Sequence, residues 1–173
     1  MQFVRVIVSG GNRDWRFIMN MDQTPVYFSM SSKRFLELIE EKNIHICTPT
    51  NDTKRVTVAV TITADSTLLP STLVFKGKPD GCISKKEFKT YPNTHFYKCQ
   101  EAAWMNEEVM IVRVNKMLAP YVLILDMYRC HMMSSVVQMI QELGVEVQHI
   151  PGRCTSLCQP VDVGFNKPFK DRM

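Results

Sequence analysis

No apolar stretch in this 173-residue chain approaches the roughly 20 residues that a membrane-spanning helix needs. There is no charged and apolar leader of the secretory kind, so an intracellular setting is expected. No internal repeat or low-complexity tract is visible, which excludes solenoids and fibrous arrays. Paired cysteine motifs are scarce too. Cys47, Cys82, Cys99, Cys130, Cys154 and Cys158 are scattered, so reduced thiols are expected rather than a disulfide framework. Cys154 and Cys158 near His149 have zinc-ligand spacing but lack a second matching pair. The Asn51-Asp52-Thr53 sequon is a chance match in a chain without a leader. The formal net charge of +4 is compatible with a phosphate-rich partner but does not require one.

What remains is the pattern of one domain with a real core, spanning 1–173. Residues 3–8 read as a strand followed by a Gly10-Gly11 turn. A first core strand is predicted from about Trp15 to Met21, with Thr24-Pro25 interrupting regular pairing. Residues 35–40 fit either a short helix or a hairpin arm. From Arg55 to Thr63, Val56, Val58, Val60 and Ile62 alternate with small residues, which is the period of a strand. Leu68 to Lys76 is predicted as its return, and Lys78 to Gln100 as a loop with short elements.

Asn106 is a good N-cap with Glu107 and Glu108 after it, and Met110, Val114, Met117 and Leu118 recur at helical spacing. The apolar run Tyr121 to Leu125 suits a central strand covered on both faces. Met132, Val136, Met139 and Leu143 form a second helical stripe that stops at Gly144. Val145 to Ile150 reads as a strand, and a last helix is expected from Asp162 to Lys170. Strands first, then alternating helices and strands, predict an α/β fold with a mixed sheet flanked by helices.

Three aspartates end or follow apolar runs: Asp22, Asp126 and Asp162. Singly, they also read as a turn residue, a strand end and a helix cap. Jointly, three converging carboxylates would repel one another, and a divalent cation is the usual remedy. Two such ions about 3.5–4 Å apart support in-line displacement at phosphorus. By the same repulsion, neutralising Asp126 is expected to leave the fold intact or slightly stabilised.

The flanks carry a resemblance. Asn20-Met21-Asp22-Gln23-Thr24, Leu123-Ile124-Leu125-Asp126 with His131 following, and Ser156-Leu157-Cys158-Gln159-Pro160-Val161-Asp162 resemble the three acidic motifs of DDE superfamily endonucleases. In particular they resemble the catalytic domain of pogo-like transposases of the mariner superfamily. Thirty-five residues lie between Asp126 and Asp162, similar to the family's spacing. The resemblance implies a ribonuclease-H-like fold and catalytic, metal-binding roles for Asp22, Asp126 and Asp162. It also implies two Mg2+ or Mn2+ ions, DNA as partner, a nuclear location in a eukaryote, and room for a homodimer on DNA.

His131, Lys167, Lys170 and Arg172 are the candidate nucleic-acid contacts, with Lys85, Lys86 and Lys89 behind them. His131 is alternatively a partner of the acids. Trp104 reads as a core anchor. Two positions depart from the family pattern: Met127 stands where Asn or Gly is usual, and Gln23 replaces an acidic residue. The family's helix-turn-helix recognition domains find no room before Trp15. The expected function is a metal-dependent DNA endonuclease or strand-transfer domain, and the alternative is a catalytically inactive, domesticated nuclear DNA-binding or scaffold protein.

Overall fold

A computed structural model describes residues 14–28, 54–117 and 122–172. The expected strand at 3–8, the ambiguous segment 35–40, Cys47 and the sequon lie outside these residues. Six strands form one sheet: β1 (Ile18–Tyr27), β2 (Arg55–Thr63), β3 (Thr72–Lys76), β4 (Phe96–Gln100), β5 (Val122–Asp126) and β6 (Glu146–Ile150). Their spatial order is β4-β3-β2-β1-β5-β6. The β1–β2 and β2–β3 pairs are antiparallel, and the other three pairs are parallel. The mixed sheet predicted from the order of elements is therefore present.

Helix α1 (Glu107–Lys116) starts where Asn106 accepts a hydrogen bond from the Val109 N–H at 3.0 Å. Helix α2 (Ser134–Glu142) ends before Gly144, whose φ of +68° is the left-handed conformation a helix stop favours. Both helices cover one face of the sheet, where Met110, Val114, Val136 and Ile140 pack on Met19, Met21, Leu123 and Leu125. Ile140, not Met132 or Leu143, carries the buried stripe of α2; those two are exposed. The opposite face holds Val56, Val58 and Val60. Val161 packs there, with Phe165 beside it, from the C-terminal segment. That segment consists of the single turn α3 (Thr155–Cys158), a π-type turn (Asp162–Asn166) and α4 (Lys167–Asp171).

Four local expectations are corrected. Trp15–Phe17 is a 3-10 turn, and the strand begins at Ile18. Pro25 does not interrupt β1, which stays paired with β2 as far as Tyr27 opposite Arg55. The Phe28 N–H donates to Lys54 O and the Ala64 N–H to Ile18 O, so even-numbered residues of β1 bond toward β2. The nitrogen of Pro25 faces the other way, beyond the end of the β1–β5 ladder at Asn20, where no donor is needed. The return strand starts at Thr72, because Leu68 makes only an isolated bridge to Ile62 and the Pro70 carbonyl turns to accept from Arg113. Finally, Phe96–Gln100 is not loop but an edge strand parallel to β3.

Candidate functional site

Side chains alternate faces along a strand, so Ile18, Asn20 and Asp22 share one face of β1. Val122, Ile124 and Asp126 share the same face of β5. The β1–β5 ladder pairs Asn20 with Ile124, and Asp22 and Asp126 each lie two residues further on. Both acids therefore sit at the C-terminal ends of neighbouring parallel strands, on the face that the C-terminal segment covers. Asp162 opens the π-type turn of that segment.

Asn20 holds the three acid-bearing elements in place. It is buried, its Nδ2 donates to the Ile124 carbonyl at 3.0 Å, and its Oδ1 accepts from the Val161 N–H at 2.9 Å. One side chain thus ties together the residues two before Asp22, two before Asp126 and one before Asp162. Asn166 makes a second tie. Its Nδ2 donates to Asp22 Oδ2 at 2.8 Å and to Asp162 Oδ1 at 2.7 Å.

The electrostatics divide the acids. Burial, followed by repulsion from Asp162, pushes the Asp22 carboxyl up to about 7. At Asp126 burial also works upward, but the hydrogen bond and charge of His131 outweigh it and hold the carboxyl below its usual range. His131 Nδ1 lies 2.6 Å from Asp126 Oδ1. Burial opposes the imidazolium, yet Asp126 and the neighbouring Cys130 raise it to about 9. The side-chain amide of Gln23 lies 2.8 Å from His131 Nε2 and can turn its NH2 or its oxygen toward the ring.

The structure thus brings Asp22 and Asp162 together through Asn166 and directs Asp126 onto His131. Among the described residues no group of three His, Cys, Asp or Glu side chains is gathered to hold a metal ion. The donor chemistry nonetheless fits a hard divalent cation. The buried Asp22 carboxylate and the part-buried Asp162 carboxylate share one Asn166 amide, and the Asn166 Oδ1 is buried without a partner among the described residues. The three acids also lie on one sheet face.

Of the candidate nucleic-acid contacts, Lys167 and Arg172 are exposed on or next to α4, and Lys170 is partly so. His131 is only 1% exposed, which suits the partner of Asp126 and not a phosphate contact. Trp104 is an exposed ring, not a core anchor; it stacks on Tyr128 with the Arg55 guanidinium 3.9 Å from its centroid.

Asn20 and Asn166 are site residues that the motifs do not mark. The signal for Asn20 was parity: a polar residue two before an acid in an otherwise apolar strand must find buried partners. Asn166 has a similar signal, one helical turn after Asp162. Gln23 is flagged in the sequence only as a departure from the family pattern, and its place beside His131 has no local cue.

The sequence profile described as DDE superfamily endonuclease matches residues 53–173. The chain is 28% identical over 163 residues to the mouse protein "Pogo transposable element with KRAB domain" and 26% identical over the same length to its human counterpart. Each alignment covers 88% of this chain but only 26% of the relative, so the chain spans about a quarter of those proteins. Among solved structures, the Mos1 strand transfer complex superposes with a TM-score of 0.62 at 12% identity, covering 99% of this chain and 46% of that one. The Mos1 transposase paired-end complex with left transposon end gives 0.57 at the same identity, covering 99% and 45%. The fold is ribonuclease-H-like.

Proposed function

The chain belongs to the DDE superfamily endonucleases, and from that premise we propose that it is a transposase-derived domain that cleaves or transfers DNA phosphodiesters. The observation that carries this reading is the Asp22–Asp162 pair. Two carboxylates from residues 140 positions apart are held on one amide, at a cost in burial and repulsion that either a proton on Asp22 or a bound cation relieves. Asp22, Asp162 and Asp126 would hold Mg2+ or Mn2+. Such ions, when bound, activate a water or a DNA 3′-hydroxyl and neutralise charge on the leaving oxygen.

The protein's own groups set this up. Asn166 orients Asp22 and Asp162, and Asn20 fixes the backbone on which all three acids stand. His131 aims the Asp126 carboxylate and keeps it ionised across neutral pH. Asp22 retains a proton near neutrality that it would give up on binding a cation. Lys167, Lys170 and Arg172, exposed or partly exposed on and beside α4, would meet phosphates. DNA as partner is supported by the solved relatives, one a strand transfer complex and one a complex with a transposon end. We further take residues 1–173 as one domain acting in the nucleus, with a homodimer on DNA as its assembled form.

One observation favours the alternative, a domesticated DNA-binding protein without catalysis: Asp126 is committed to an ion pair with His131. Nicking of supercoiled plasmid separates the two. With Mn2+ or Mg2+ the wild-type chain is expected to nick, and Asp162→Ala to lose roughly a hundredfold or more, as losing a site's charge stabilisation does. Equal nicking by both would refute the assignment. DNA binding without nicking by either would establish the alternative.

A further inference from the structure

The crossover between β3 and β4 carries the chain's charge. From Lys76 to Lys98 there are six lysines against two acids, so the whole formal excess of +4 resides in these 23 residues. The crossover is anchored. Its π-type turn (Ile83–Glu87) and 3-10 turn (Phe88–Thr90) are pinned by an aromatic cluster in which Phe88 lies 5.7 Å from Phe75 and 5.6 Å from Tyr97. Tyr91 lies 5.2 Å from Tyr97 and donates its hydroxyl to Glu87, which occupies one of the two acids.

Lys85, Lys86 and Lys89 remain exposed, and no ion pair engages them among the described residues. Lys89 stands three and four residues after Lys86 and Lys85, a spacing at which like charges repel weakly, which an anion lying across them would relieve. Phe75 packs in the same cluster as Val161 and Phe165, so the crossover covers the same sheet face as the segment that bears Asp162.

We propose that Lys85, Lys86 and Lys89 form a second, preorganised DNA-docking surface that grips the phosphates of a duplex on the sheet face of the acids. The inference rests on DNA being the partner. Aromatic anchoring fixes the backbone that carries the lysines before DNA arrives, so only their side chains need ordering on contact, which lowers the entropic cost of engaging it. Cations that meet phosphates carry no base readout, so the surface holds duplex irrespective of sequence.

The test is fluorescence anisotropy of a labelled duplex titrated with the full chain at several salt concentrations. Three variants are compared: wild type, Lys85→Gln/Lys86→Gln/Lys89→Gln, and the matching triple arginine variant. The glutamine variant is expected to bind at least roughly tenfold more weakly, with a salt slope reduced by about 3, or one unit per lost phosphate contact. The arginine variant is expected to keep the wild-type slope. A glutamine variant with an unchanged slope overturns the proposal while leaving the DNA reading intact. Equal loss in the arginine variant also overturns it, because the effect would then be one of packing. Failure of the wild type to bind duplex at low salt removes the DNA reading itself, and this proposal with it.

Discussion

Replacing Asp22 by Asn stabilises the protein in EDTA, whereas the same change at Asp126 destabilises it. The two acids are neighbours on one face, yet their partners are opposite in charge. Asp22 is raised from 3.8 to about 7 by burial and by Asp162. The native state therefore binds a proton that the unfolded chain has released, and stability falls as pH rises between about 4 and 7. Above that window ionised Asp22 costs up to about 4 kcal/mol, from its burial first and from Asp162 second. Asp22→Asn removes the cost, so its gain is absent near pH 4 and full above about pH 8.

His131 behaves in the other direction. It is raised from 6.5 to about 9 by its partner despite burial, so its contribution is full below about pH 6.5 and lost as pH rises through 9. Asp126→Asn forfeits up to about 3 kcal/mol near pH 6 and almost nothing above pH 10. The expectation from repulsion alone, that neutralising Asp126 is harmless, is thus revised: the repulsion lies between Asp22 and Asp162. Urea denaturation of the three proteins from pH 4 to 10 checks this. Parallel pH profiles would exclude the division of roles.

Asn20→Leu is expected to cost about 2–4 kcal/mol and to loosen the site as a unit. The leucine fills a similar volume but leaves the Ile124 carbonyl and the Val161 N–H without this partner in a buried place, each worth about 1–3 kcal/mol. Freed from Asn20, the turn bearing Asp162 is no longer held against β1. The repulsion on Asp22 then weakens, and its carboxyl titrates closer to the ordinary range. Denaturation gives the stability, and carboxyl titration by NMR gives the second effect. A variant as stable as wild type, with Asp22 still titrating near 7, would show that Asn20 positions nothing.

Local chemistry determined a good part of this protein. The alternation from Arg55 to Thr63, the Asn106 cap, the Gly144 stop and the apolar run into Asp126 each depend on residues a few positions apart, and each element formed as its pattern required. The three acids could be singled out for the same reason, since each stands beside an apolar run in a recognisable flank. Tertiary structure decided the rest. Pro25 stays in its strand because β5 has already ended beside it, and Phe96–Gln100 becomes a strand because the edge of β3 is available. The proton on Asp22 depends on burial and on Asp162, and the charge of Asp126 on a turn that presents His131. Protonation energies follow distance and desolvation, and those are set between residues far apart in the chain, where no local pattern can express them.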